Sequence, residues 1–252
     1  MVTSTAKTCT FDDEFNANQL NTNLWVPTTT AATGYRVGPE CYVSDSSTIS
    51  ESGGALHLTT NRLAQPMTCT LPNGSTYQSS YTSGMVSTSG KFSQTYGHYE
   101  IRARFPNVTS PGTHSALWLY PQKQWYGLGS SGEIDMVEHY SLWPTADIST
   151  VVYPNTISTN HHVSHGCTFD NPAAYHVYSL DWTATSMRFS YDSTPCWTTT
   201  WSPLAPLLSS EPFDKPFFIC LTEAMGTGVN ALDQSHVSLP ASMDIDYVRV
   251  WK

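Results

Sequence analysis

Glu133, Asp135 and Glu138 put three carboxylates into six consecutive residues, in the order E-x-D-x-x-E. On an extended strand Glu133 and Asp135 share a face, about 6.6 Å apart along the backbone. Glu138 falls on the opposite face of a regular strand, and one β-bulge after Asp135 would return it to the first. Ile134, Met136 and Val137 are apolar, which embeds the segment in a sheet. Like charges crowded on a sheet face destabilise it, so such a run is expected where the charges are used. The chemistry that fits is cleavage of a glycosidic bond with retention of configuration. One carboxylate attacks, a second carboxyl donates a proton, and the two stand about 5–5.5 Å apart. Backbone rise alone sets Glu133 and Glu138 farther apart, so strand curvature and side-chain lean must close the gap. The proton donor must stay protonated near neutral pH, and a nearby negative nucleophile would raise its pKa. An exposed acidic strand or a calcium site is the alternative reading of the same spacing.

The elements that would position these acids are short strands. From His98 to Phe105 the chain alternates, with Tyr99, Ile101, Ala103 and Phe105 on one side and His98, Glu100, Arg102 and Arg104 on the other. Ser186 to Tyr191 alternates in the same way. Met243 to Trp251 reads as a strand with Met243, Ile245, Tyr247, Arg249 and Trp251 opposite Asp244, Asp246, Val248 and Val250. Phe217 to Leu221 is a continuous apolar run of strand length. Turn residues punctuate these segments at Gly53-Gly54, Pro72-Asn73-Gly74, Pro106-Asn107, Pro111-Gly112 and Asp170-Asn171-Pro172. Helical periodicity is nearly absent. The pattern predicts an all-β sandwich or jelly roll. The charged face of 98–105 is either ordinary solvent surface or the lining of a polar cleft.

Composition narrows the partners. A chain of 252 residues fits one large domain, expected here over 1–252. Only 11 Lys and Arg stand against a net charge of −9, too few for the basic face of a nucleic-acid binder. A neutral polymer is compatible. No run of about 20 apolar residues exists, so no membrane span is expected. The polar start, Met1 to Lys7, reads as a mature domain behind an added Met. Cys9, Cys41, Cys69, Cys167, Cys196 and Cys220 are dispersed without a C-x-x-C pair, which predicts up to three disulfides and a secreted protein. Their pairing is open. His161, His162, His165 and Cys167 have the look of a metal cluster, but Cys167 is better explained as a disulfide partner. His176, at a strand start, reads as a packed histidine.

The segment Glu133-Ile134-Asp135-Met136-Val137-Glu138 resembles the bulged active-site motif of glycoside hydrolase family 16. The resemblance extends along most of the chain: Phe11 to Phe15 with Leu24-Trp25, Tyr81 to Gly84 with Gly90 to Phe92, Tyr96 to Arg104, Ala116 to Leu119, Tyr175 to Trp182 and Ile245 to Trp251. It implies a curved, concanavalin A-like jelly-roll β-sandwich with an open cleft. Glu133 would be the nucleophile, Asp135 its helper and Glu138 the general acid/base. Glu100 and Arg102 fall on the family's sugar-contacting positions. The bulged motif points to laminarinase-like, endo-acting hydrolysis of β-1,3-glucan by a monomer, with no cofactor for catalysis. A mixed-linkage β-glucan or β-galactan specificity, transglycosylation, or a jelly-roll lectin that binds glycan without cutting it are the competing readings.

Several positions depart from the family pattern. The nearest Trp before the nucleophile is Trp125, with Ser130, Ser131 and Gly132 intervening. Trp118, Trp125 and Trp143 are candidates to stack on sugar rings, Trp118 having core packing as its alternative. Where the family carries Asn-x-Ala, this chain has Thr222-Glu223-Ala224, so Glu223 is an additional acid expected to face the cleft. The resemblance also implies a structural calcium ion tying the chain ends together through Glu14, Asp246 and the backbone carbonyl near Gly54; oxygen ligands suit it.

Overall fold

The computed structural model describes residues 7–155, 161–168, 170–171, 173–233, 235–236 and 239–252. The first six residues of the polar start, and Pro172 of one expected turn, lie outside them. In chain order the strands are β1 (Cys9–Asp13), β2 (Val26–Pro27), β3 (Cys41–Tyr42), β4 (Ile49–Ser52), β5 (Ala55–Thr70), β6 (Thr76–Ser83), β7 (Met85–Ser87), β8 (Gly97–Arg104) and β9 (Thr113–Pro121). They continue with β10 (Glu133–Tyr140), β11 (Ala146–Tyr153), β12 (His161–Thr168), β13 (His176–Trp182), β14 (Met187–Tyr191), β15 (Thr194–Thr199), β16 (Phe217–Met225) and β17 (Ala241–Trp251).

These strands form a two-sheet jelly-roll sandwich. One sheet, of seven strands, runs β12-β11-β10-β9-β16-β7-β2. The other, of ten, runs β15-β14-β13-β8-β17-β5-β6-β3, with β1 on β17 and β4 on β5. Alternation decides which side chains meet between the sheets. Leu117, Leu119, Ile134, Met136 and Val137 come inward from the seven-stranded sheet, and Tyr99, Ile101, Ala103, Leu180 and Phe189 from the ten-stranded one, to make one buried core. Gly53 and Gly54 join β4 to β5 in a two-residue hairpin in which both have positive φ, 61° and 78°. That mirror-image turn suits the twist of the strands and is open to glycine at little steric cost.

The alternation expected for 243–251 is half right. Met243 and Ile245 are buried, but so are Val248 and Val250. The pairing of β17 with β8 slips between Ile245 and Tyr247, leaving Asp246 as the extra residue of a bulge. A one-residue slip reverses the face of everything after it, which is why Tyr247 and Arg249 point outward while Ile245 points in.

Two disulfides form, Cys41–Cys69 and Cys167–Cys196. Two lie within the expected up to three; the remaining pair stay apart, Cys9 exposed on β1 and Cys220 buried in β16 of the other sheet. Cys167 is taken by its disulfide, which removes it from the His161, His162 and His165 run.

Candidate active site

The three carboxylates lie on β10, an interior strand of the seven-stranded sheet between β11 and β9. Its pairing with β9 steps from Asp135↔Trp118 directly to Val137↔Leu117, and its pairing with β11 from Asp135↔Thr150 to Glu138↔Ile148. This is the bulge that the spacing required. Ile134, Met136 and Val137 all sink into the core, so Glu133, Asp135 and Glu138 share the outer face. Gly132 admits the chain to the strand with φ 82°; a Cβ there would stand 2.8 Å from the Phe213 ring.

Around Glu133 opens a groove of about 430 Å³, walled by Tyr35, Trp118, Tyr120, Phe218 and Cys220. Trp118 is part of its packed floor. Its indole Nε1–H donates to Thr222 Oγ1 at 3.0 Å, and Tyr35 stacks 6.0 Å from its ring. Trp125 and Trp143 are different: 44% and 47% exposed, they stand on the loops that precede and follow β10. Lys123 Nζ sits 5.1 Å over the Trp125 ring, and Trp143 meets the Tyr140 ring edge-on at 6.0 Å.

The two glutamates have unlike surroundings. Tyr140 Oη–H donates to Glu138 Oε1 at 2.6 Å, and Thr150 Oγ1–H to Oε2 at 2.9 Å. His114 Nε2 stands 3.5 Å from Oε1, with its ring stacked flat on Tyr140. Burial alone would raise Glu138, but these three groups hold it below the usual carboxylate range. Burial, followed by the charge of Glu138, pushes Glu133 up to about 7. Burial, then both glutamate charges, pushes Asp135 well above the ordinary range. The expectation that the donor glutamate holds the proton through its neighbour's charge is therefore corrected for the substrate-free cleft. Here the donors on Glu138 lower it, while burial and the neighbouring charges raise Glu133 and Asp135.

Other expected site residues lie elsewhere. Glu100 and Arg102 occupy β8 of the opposite sheet and point away from the core; Glu100 accepts from Tyr247 Oη–H at 2.8 Å, and Arg102 pairs with Asp246 at 2.5 Å. They do not line the cleft. Their alternation was sound, but the sheet carrying them lies across the core from β10. Glu223 does not face the cleft either. On β16 Phe218, Cys220, Thr222 and Ala224 take the groove side, so parity turns Glu223 inward, where Ser115 Oγ–H donates to it. Burial pushes that carboxyl well above its usual value.

Two of the expected calcium ligands have arginine partners. Both oxygens of Glu14 accept from Arg249, at 2.6 and 2.8 Å, and Asp246 is neutralised by Arg102. Among the described residues no group of three or more His, Cys, Asp or Glu is placed to hold a metal ion.

Residues 39–238 match the profile of glycosyl hydrolases family 16. The chain belongs to that family. A β-glucanase of Rhodothermus marinus is 34% identical over 68% of this chain and 63% of its own length. Glucan endo-1,3-beta-glucosidase A1 of Niallia circulans is 29% identical over 96% of this chain and 37% of its own. This family 16 chain thus spans between about a third and under two thirds of these relatives. The solved laminarinase of Rhodothermus marinus superposes with a TM-score of 0.81 at 26% identity, covering 98% of this chain and 97% of that one.

Sequence reasoning missed His114, Tyr140, Thr150 and Tyr35. Parity was the available signal for two of them. His114 shares its face with Ala116 and Trp118 on β9, and Tyr140 shares its face with Glu138 on β10. Thr150 becomes visible only when β11 is paired across Asp135, and Tyr35 only when its loop folds over Trp118.

Proposed function

We propose that this chain is a retaining endo-glycosidase that hydrolyses internal β-1,3 bonds of a laminarin-like β-glucan. The observation that carries the reading is the bulged strand: it sets Glu133, Asp135 and Glu138 on one face, with Glu133 lining an aromatic-walled groove. Glu133 is the nucleophile. Buried, with a raised pKa, it loses its proton most readily when that proton has somewhere better to be. A glycosidic oxygen seated against Glu138 offers that place, because only the protonated carboxyl can donate to it. The acids titrate as one coupled set, so substrate binding draws the proton to Glu138 and leaves Glu133 as the carboxylate that attacks the anomeric carbon. Asp135, kept protonated by burial, is a donor that orients Glu133. Glu138 protonates the leaving oxygen, then as a carboxylate takes a proton from the water that opens the glycosyl-enzyme bond.

The exposed rings of Trp125 and Trp143 flank the acid run and are the stacking positions for sugars on either side of the cleaved bond. Trp118 shapes the floor instead. A free, secreted life fits two disulfides, and a neutral polymer fits a groove whose carboxylates face no Lys or Arg ion-pair partner among the described residues.

The test is incubation with laminarin, lichenan, xylan and agarose, with products separated by size and anomers followed by proton NMR. Mixed oligosaccharides released early from laminarin, with the β-anomer appearing first, are expected. The α-anomer first would overturn retention. Cleavage of lichenan or agarose alone would move the specificity to mixed-linkage glucan or galactan, and binding without cleavage would make the chain a lectin.

A further inference from the structure

The proposed acid/base has a neighbour with no other evident use. His114 is only 13% exposed, and its Nε2 has no hydrogen-bond partner among the described residues, yet it points at Glu138 Oε1 from 3.5 Å. At that length it is an electrostatic contact rather than a formed hydrogen bond. The ring is held by stacking on Tyr140, with centroids 4.4 Å apart and planes 4° from parallel. The backbone adds to this, since His114 and Tyr140 are direct partners across β9 and β10. Tyr140 in turn gives its hydroxyl proton to the same Oε1. One oxygen of Glu138 is therefore addressed by a hydroxyl and an imidazole that are locked to one another. The other oxygen is addressed by Thr150, which is itself in hydrogen-bond contact with Ser164 Oγ at 3.0 Å.

We infer that His114 is a positioning residue for Glu138, which through its Nε2 holds the carboxylate form of the acid/base and fixes the orientation of Oε1. The catalytic part of this inference rests on the role of Glu138 given above; the contact itself does not. The charged and titratable groups that face Glu138 are few. They are His114 from β9, Glu133, Asp135 and Tyr140 from β10 and Tyr191 from β14, with Thr150 from β11 as a neutral donor; Tyr35 lies close enough to act on Tyr140 and Glu133. Glu133 and Asp135 oppose the Glu138 carboxylate. Tyr140 and Thr150 are neutral donors. Among these groups, His114 alone can bring a positive charge or a third donor to it. In a retaining cycle Glu138 must give up a proton and then accept one. A partner that favours the carboxylate makes Glu138 the stronger acid and so assists the first transfer.

The test is carboxyl-carbon NMR of protein labelled at glutamate Cδ, with the Glu138 signal assigned through Glu138→Gln. His114→Phe keeps a ring against Tyr140 and deletes Nε2. His114→Asn shortens the reach past Oε1, and His114→Gln restores a donor near the position of Nε2. The Glu138 signal is expected to titrate higher by about half a pH unit or more in the Phe and Asn variants, and to return toward wild type in the Gln variant. The alkaline limb of kcat on laminarin should move up with it. An unmoved Glu138 signal in whichever of the Phe and Asn variants folds would overturn the proposal, as would a shift that Gln fails to reverse. If wild type cleaves no glucan, the substrate reading falls while the NMR titration still decides the role of His114.

Discussion

The outer face of β10 and the outer face of β8 look alike in sequence and differ in company. Both alternate charged with apolar residues, and both send their apolar members into the same core. On β8 every charge finds a partner: His98 with Asp181 at 2.8 Å, Arg102 with Asp246 at 2.5 Å, Arg104 with Asp244 at 2.7 Å, and Glu100 with the Tyr247 hydroxyl. On β10 three carboxylates stand together with hydroxyls and one imidazole around Glu138 and no Lys or Arg ion pair among the described residues. A balanced face holds its charges in ion pairs and hydrogen bonds. An unbalanced one stores repulsion and shifts protons, which is what acid–base chemistry needs.

The sharpest way to break the comparison is to neutralise one acid. Glu138→Gln and Glu133→Gln are each expected to lower kcat on laminarin by about 10²–10⁴-fold, with circular dichroism unchanged. Activity that survives in either variant would remove that residue from the chemistry. Next in size are the exposed rings. Trp125→Ala and Trp143→Ala should raise KM by about two- to tenfold, the worth of one aromatic stack, with kcat changed less; Trp118→Ala should instead show itself as lost thermal stability.

A third test reads the repulsion directly. Burial and the Glu138 charge push Glu133 up to about 7 in the fold, against an ordinary 4.5. Between those values the unfolded chain ionises first, so the folded state binds more protons and stability falls as pH rises. Above about 7 the cost stays constant. Glu133→Gln removes the ionisation, so its melting temperature should exceed wild type by a few degrees at pH 8 and approach it at pH 4. A gap that does not change with pH would deny Glu133 its raised value. The smallest effect is expected on the balanced face: Arg102→Ala should cost at most about 1 kcal/mol, as for a partly exposed ion pair, and leave kcat/KM within about twofold. A large loss of activity there would put β8 back in the catalytic account.

What the sequence determined by itself is what local spacing can encode. Period-two alternation marked β8 and β14, a continuous apolar run marked β16, turn residues marked the bends at 53–54, 72–74 and 106–107, and E-x-D-x-x-E demanded a bulge that β10 indeed has. The acid triplet needed no partner strand to be recognised, because all three members come from one segment. Tertiary structure decided the matters that depend on which strand lies beside which. It placed the Glu100 and Arg102 face across the core from the acids, turned Glu223 inward, and spent Glu14 and Asp246 on arginines. It also introduced the Asp246 bulge, which flips half of β17 and has no marker as plain as a run of three acids. Above all it brought His114 and Thr150, from β9 and β11, to Glu138. The physical reason is that a carboxyl's pKa is set by what surrounds it through space. Sequence spacing fixes those neighbours only along one strand, and pairing and packing supply the rest.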